Sequence, residues 1–88
     1  HLVQKNNIPL DLTPTEMSVL MLLLANRNII VTRLQMSEYI HGSFRDGYER
    51  TIDAHIKNLR RKLEKNPKEP RYIQTVYGLG YKFISEVG

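Results

Sequence analysis

Eighty-eight residues with thirteen basic and nine acidic side chains make a single domain with a modest core and a formal net charge of +4. Residues 1–46 carry four charges of each sign (Lys5, Arg27, Arg33 and Arg45 against Asp11, Glu16, Glu38 and Asp46), so nine basic against five acidic residues in the remainder supply the whole excess, and this asymmetry, with a pI near 9.6, favours a nucleic acid or an anionic membrane surface as partner. The absence of cysteine excludes disulfides and thiolate metal sites, the longest apolar run (Val19 to Ala25) is far short of the roughly 20 residues that cross a bilayer, and nothing reads as a signal peptide.

In chain order, Leu2-Val3-Gln4 and Ile8-Pro9-Leu10 are candidate strands separated by Asn6-Asn7. Thr13-Pro14-Thr15-Glu16 then opens a helix: a hydroxyl cap, Pro at the first helical position, Glu three residues after the cap, and Leu12 and Met17 spaced as a hydrophobic staple. This helix is expected to run to about Ala25. Its apolar residues Met17 and Val19 to Leu24 surround most of the axis, which predicts burial on nearly all sides and a role in the core. Ile29-Ile30-Val31 is a short β-branched run. Thr32 and Gln35, with Val31 and Met36 as staple, repeat the start signal for a second helix through about Ile40. Residues 41–47 read as a loop by composition. A third helix spans Glu49 to Glu64, with Asn66-Pro67 and Glu69-Pro70 as its stop. Tyr72 to Val76 and Tyr81 to Ile84 form a closing hairpin around Tyr77-Gly78-Leu79-Gly80, with the glycines at turn positions that require positive φ. The order is strands, three helices and a hairpin. A chain that starts at His1 rather than Met suggests a piece of something longer, with residues 1–88 as one domain of it.

The third helix has two incompatible faces. At about 100° per residue, Ile52, Ile56, Leu59 and Leu63 fall in one narrow stripe, with Arg50, Ala54, Lys57, Asn58 and Arg61 opposite. The first face needs a core; the second needs an anion, and the polyanion wide enough to admit a helix is the major groove of duplex DNA. Arg50, Lys57 and Arg61 are spaced to neutralise phosphates or, for arginine, to donate bidentately to guanine; the alternative is a solvated face paired with acids such as Glu64. Asn58 suits adenine or is an ordinary surface amide, and Ala54 can press on a thymine methyl. Thr51, near the positive end of the helix dipole, suits a phosphate or is simply exposed. Arg60, Lys62 and Lys65 lie off the centre of the basic face and are read as adding field and solubility, while Asp53 is read as orienting a neighbouring arginine.

Other chemistries find little support. His55 sits beside the apolar stripe and reads as packed; His1 and His41 are distant in sequence, so no metal or other cofactor is expected. Gly78-Leu79-Gly80 does not open a helix, as a nucleotide-binding loop must. No nucleophile, base and orienting acid can be assembled, so an enzyme is not expected. Tyr77 at the hairpin tip either lies along a sugar-phosphate backbone or is an exposed turn aromatic. Tyr72, Tyr81 and Phe83 are expected to pack the hairpin onto the helices. The rival to DNA binding is a protein-interaction module whose basic helix docks on an acidic partner.

Three blocks together resemble the C-terminal effector domain of the OmpR/PhoB family of two-component response regulators: Leu12 to Glu16 (LTPTE), Arg50 to Ile56 with Leu59 to Leu63 (RTIDAHI, LRRKL), and Ile73 to Phe83 (IQTVYGLGYKF). The resemblance covers nearly the whole chain and implies an α+β winged helix-turn-helix with short N-terminal antiparallel strands. It implies sequence-specific binding of double-stranded DNA in transcription regulation, with the third helix in the major groove and the wing, about 72–84, at the adjacent minor groove. By motif position, Arg50, Thr51, Ala54, Lys57, Asn58 and Arg61 would face the groove, Thr75 and Tyr77 the wing contact, and the loop 41–48 RNA polymerase. The resemblance further implies a cytoplasmic regulator and a dimer on DNA. It implies a receiver domain switched by a sensor histidine kinase through phosphorelay; the piece present here would then be mostly monomeric by itself. His41 stands where many members have Trp, and Tyr77 where many have Arg.

Overall fold

A computed structural model describes residues 4–5, 8–42 and 47–85. Two short strands, β1 (Gln4–Lys5) and β2 (Ile8–Pro9), pair antiparallel with Gln4 opposite Pro9 and Lys5 opposite Ile8. β2 stops one residue short of the expected Leu10, and of the residues expected in or between these strands Leu2, Val3, Asn6 and Asn7 lie outside the described residues.

The first helix, α1 (Pro14–Ala25), begins where its sequence says it must. The Thr13 hydroxyl accepts from the Glu16 amide at 3.1 Å and the Glu16 carboxylate accepts from the Thr13 amide at 3.0 Å, a reciprocal cap of the kind that contributes about 1 kcal/mol. Burial on nearly all sides does not follow. Val19, Leu20 and Leu23 are in the core, but Met21 is 41% exposed and Leu22 and Leu24 are only half-buried, because two neighbouring helices and a small sheet cannot surround a third helix completely. Strand β3 (Val31–Thr32) follows; Ile29 and Ile30 precede it and are exposed, so only Val31 of that apolar run enters the core. The second helix, α2 (Arg33–His41), carries the expected Thr32/Gln35 capping box, at 3.1 and 2.8 Å, and ends on Gly42 in the left-handed region (φ 73°).

The third helix, α3 (Tyr48–Leu63), has 16 residues. Ile52, Ile56, Leu59 and Leu63 pack with Val19, Leu20, Leu23, Val31, Met36, Ile73 and Tyr81 into one cluster. Its end is set by Glu64 and not by the prolines. Glu64 leaves the helical conformation (ψ 141°), and its carboxylate turns back to accept the amides of Arg71, Tyr72 and Ile73 at 2.8–3.2 Å, leaving the residue 5% exposed. The alternative in which Glu64 pairs with the basic face is therefore not what forms: these inward hydrogen bonds hold the carboxylate elsewhere.

Strands β4 (Ile73–Val76) and β5 (Gly80–Phe83) form the wing hairpin, and β5 also pairs with β3, giving the antiparallel order β3-β5-β4. The Leu79 amide donates to the Val76 carbonyl at 2.9 Å with Gly78 at φ 78°, the left-handed conformation that a type II turn requires at its third position. Gly80 serves a different purpose from the one expected. Its φ is not positive; a Cβ there would collide with the Val31 carbonyl oxygen and come within 2.8 Å of the Thr32 Cα, so the bare backbone is what lets β3 dock on β5. Of the three aromatics expected to pack the hairpin onto the helices, Tyr81 is buried in the core and Phe83 packs against it, whereas Tyr72 remains exposed and stacks on Phe83 with centroids 5.9 Å apart.

Candidate nucleic-acid interface

Because Ile52, Ile56 and Leu59 are fully buried, the opposite side of α3 is turned to solvent: Arg50, Thr51, Ala54, Lys57, Asn58 and Arg61 are all exposed. From Arg50 to Arg61 the helix rises about 16 Å, so the cations form a line roughly three turns long. The wing residues are placed differently from one another. Tyr77 is 91% exposed at the hairpin tip, close to the exposed Leu79, while Thr75 is half-buried and its Oγ1 accepts from the Arg60 guanidinium at 2.9 Å. Residues 43–46, within the loop read as facing RNA polymerase, lie outside the described residues.

Three acids on or beside α3, Glu16, Asp53 and Glu64, are engaged within the protein, while Glu49 in the first turn is exposed. Glu64 is held by backbone amides. Glu16, 4% exposed, pairs with Lys62 at 2.6 Å; burial alone would raise its carboxyl pKa, but the hydrogen bonds from Lys62 and the Thr13 amide outweigh that and hold it below its ordinary value of 4.5. Asp53 accepts the Arg33 guanidinium at 2.8 Å and the Tyr81 hydroxyl at 2.5 Å on the same oxygen. The hydrogen bond to Asp53 raises the Arg33 pKa further, while burial, then Asp53, pushes the Tyr81 phenol up. Asp53 does orient an arginine, but the partner comes from α2, not from its own helix. Among the described residues, none of Arg50, Lys57 and Arg61 is in an ion pair. Lys57, Arg60, Arg61 and Lys68, against the already engaged Asp53, border an open depression of about 390 Å³ beside the C-terminal half of α3.

Two basic residues assigned to general field and solubility have specific structural partners. Lys62 joins α3 to α1 through Glu16. Arg60 donates through Nε and Nη2 to the Ile73 carbonyl at 3.1 and 2.7 Å, and its guanidinium lies 5.5 Å over the Tyr81 ring. The helical wheel locates both off the basic face; it has no means of showing that one flank meets α1 and the other the wing. His55 is half-buried as expected, and burial, then the nearby His41, pushes its pKa below the ordinary 6.5, with Glu16 opposing. Among the described residues no group of three His, Asp or Glu side chains is arranged to hold a metal ion, and no helix is long and apolar enough to cross a membrane.

A hairpin docked beside an exposed cationic helix, on a three-helix core, is the winged-helix arrangement. The chain belongs to the family described as "Transcriptional regulatory protein, C terminal", whose model matches residues 7–83; it is the OmpR/PhoB type of DNA-binding domain. It is 43% identical over 77 residues to the transcriptional regulatory protein BaeR of Escherichia coli, covering 88% of this chain and 32% of BaeR. Two solved structures match the fold closely. The response regulator DrrB of Thermotoga maritima, an OmpR/PhoB homologue, aligns with a TM-score of 0.87 at 31% identity, over 96% of this chain and 38% of DrrB. The Klebsiella pneumoniae RstA DNA-binding domain, in complex with the RstA box, aligns with a TM-score of 0.86 at 30% identity, over 94% of this chain and 82% of that domain. The chain spans about a third of the length of the curated relatives it matches first.

Proposed function

We propose that this domain binds double-stranded DNA sequence-specifically by inserting α3 into the major groove, as the transcription-regulating output of a response regulator. The observation that carries the reading is the inward engagement of Glu16, Asp53 and Glu64, which leaves Arg50, Lys57 and Arg61 along the exposed side of α3 with no ion pair among the described residues. Closely spaced cations without counter-charges repel one another, and a row of phosphates relieves that repulsion while a groove about 12 Å wide accepts the helix. Thr51 near the helix start supports phosphate contact, Ala54 and Asn58 lie between the cations where base edges would come, and Thr75 and Tyr77 belong to the wing that would meet the adjacent minor groove. With an uncharged tyrosine at the tip, the wing contributes surface contact and not a cation.

The membership of the family and the DNA complex of RstA disfavour docking on an acidic protein partner. By the same family kinship, the domain acts in the cytoplasm downstream of a phosphorylated receiver domain and a sensor histidine kinase, pairs on direct-repeat half-sites, and meets RNA polymerase through the loop 41–48. The interface is tested by titrating a duplex recovered by selection from a random pool against salt. The wild-type chain should show log K falling linearly with log salt, and Arg50→Ala, Lys57→Ala and Arg61→Ala together should reduce that slope by up to about 2.7, at roughly 0.9 for each phosphate left without its cation. An unchanged slope rules out this face.

A further inference from the structure

Arg60 lies on the recognition helix yet spends its donors inside the protein. Its Nε and Nη2 converge on the carbonyl of Ile73, the first residue of β4, and Nη2 reaches Oγ1 of Thr75 two residues on. The same guanidinium lies over Tyr81, which pairs in register with both Thr75 and Val31 at the centre of the sheet. The Tyr81 hydroxyl returns to α3 at Asp53, and Asp53 is held from α2 by Arg33, whose own guanidinium lies 5.7 Å from the Tyr81 centroid. Two cations, one carboxylate and one phenol thus fasten α2, α3, β4 and β5 at a single point.

We propose that Arg60 is a positioning residue for DNA recognition: through Tyr81 and the Ile73 carbonyl it fixes the angle between α3 and the wing, so that the two contact elements meet the duplex as one rigid body. The proposal rests on the reading of α3 and the wing as the DNA-contacting elements. The chemistry suits arginine and not lysine, because only a planar fork can donate to a carbonyl and a hydroxyl while stacking on a ring. Without Arg60 the wing would still be held to α3 by the Glu64 carboxylate at the start of β4, by the Tyr81–Asp53 bond and by apolar contacts, but Thr75, nearer the hairpin tip, would lose its tie to the helix and the tip could shift. A wing whose tip shifts still meets phosphates, so affinity for any duplex persists while discrimination between duplexes falls.

The test compares Arg60→Met and Arg60→Lys with the wild-type chain on the selected duplex and on poly(dI-dC), at temperatures where each variant is folded by its amide spectrum. Arg60→Met should lower the ratio of specific to non-specific affinity roughly tenfold, the worth of about one misread base pair, spread over the whole site, with the salt slope unchanged. Arg60→Lys should restore little of the ratio although it restores the charge. Residual dipolar couplings of the free variants should report a broadened helix-to-wing orientation. A slope reduced by about 0.9, an effect confined to one base pair, or an unchanged ratio would each show direct contact or no role, and would overturn the proposal. If Arg60→Met does not fold, Tyr81→Phe, which keeps the ring and removes the bond to Asp53, decides by the same ratio. Absence of salt-dependent binding in the wild type would defeat the DNA reading itself, and the dipolar couplings, which need no DNA, would then decide the clamp alone.

Discussion

Glu64→Gln is the substitution whose cost follows most directly from geometry. In the native protein both carboxylate oxygens accept: Oε1 from the Arg71 and Tyr72 amides at 2.9 and 3.2 Å, Oε2 from the Tyr72 and Ile73 amides at 3.1 and 2.8 Å. A glutamine keeps one acceptor and places an N–H₂ group where the other stood, so donors face donors. Arg71 and Tyr72 are exposed and water can serve their amides, whereas the bond at Ile73 is buried and Ile73 itself is fully enclosed. Removing a charged acceptor from a buried donor costs about 1–3 kcal/mol, and each of the two wetter amides adds some tenths, for a total of about 2–4 kcal/mol. In a domain of this size that lowers Tm by roughly 10–25 °C. Urea unfolding followed by circular dichroism measures it, with the m-value as control for two-state behaviour. A Glu64→Gln protein within about 0.5 kcal/mol of wild type would refute the claim that this carboxylate holds the start of the wing to the end of α3.

Gly80→Ala should destabilise by at least the roughly 1–3 kcal/mol usual for overpacking, and faster exchange of the amides at the Thr32–Gly80 pairing would locate the damage at β3. Acidification should destabilise in two stages. His55 has its pKa lowered on folding from 6.5, so its contribution is present above that pH and fades as pH falls below it; Glu16, lowered from 4.5, contributes above that pH and gives up its part as pH falls further. Thermal melts from mildly alkaline to acid pH should show both steps, with His55→Gln removing the upper and Lys62→Met weakening the lower; stability that rises on acidification contradicts the assignment. Ser37→Ala should be neutral or stabilising by up to about 1 kcal/mol, because the fully buried Ser37 hydroxyl has no hydrogen-bond partner among the described residues; destabilisation above about 1 kcal/mol in chemical denaturation would reveal a hidden partner.

The features legible in the sequence are those fixed within about four residues. Thr13 with Glu16 and Thr32 with Gln35 announce two helix starts to the residue, since each cap closes locally. The stripe of Ile52, Ile56, Leu59 and Leu63 orients α3, and its exposed side follows by geometry. What could not be read depends on who arrives from afar. Glu64 ends α3 by meeting amides seven to nine residues away, Arg33 finds Asp53 across 20 residues, and Lys62 finds Glu16 across 46. An arginine partner for Asp53 is legible but not which arginine, and Glu16, Lys62 and Glu64 show no distant partner in the sequence, because charge alone does not disclose it. Gly80 looks like a turn glycine for a similar reason: the strand that forbids its side chain, at Val31 and Thr32, lies far upstream. Met21 is the converse case, an apolar residue left in solvent because none of the described elements covers that side of α1.

The central claim, that the cationic side of α3 lies within a DNA duplex while its aliphatic side anchors it, is tested most directly by amide and side-chain chemical-shift mapping with the selected duplex. The largest perturbations are expected at Arg50, Thr51, Ala54, Lys57, Asn58 and Arg61, smaller ones at Tyr77, and little at β1 and β2. Perturbations concentrated on the N-terminal strands, with the exposed face of α3 unmoved, would contradict it.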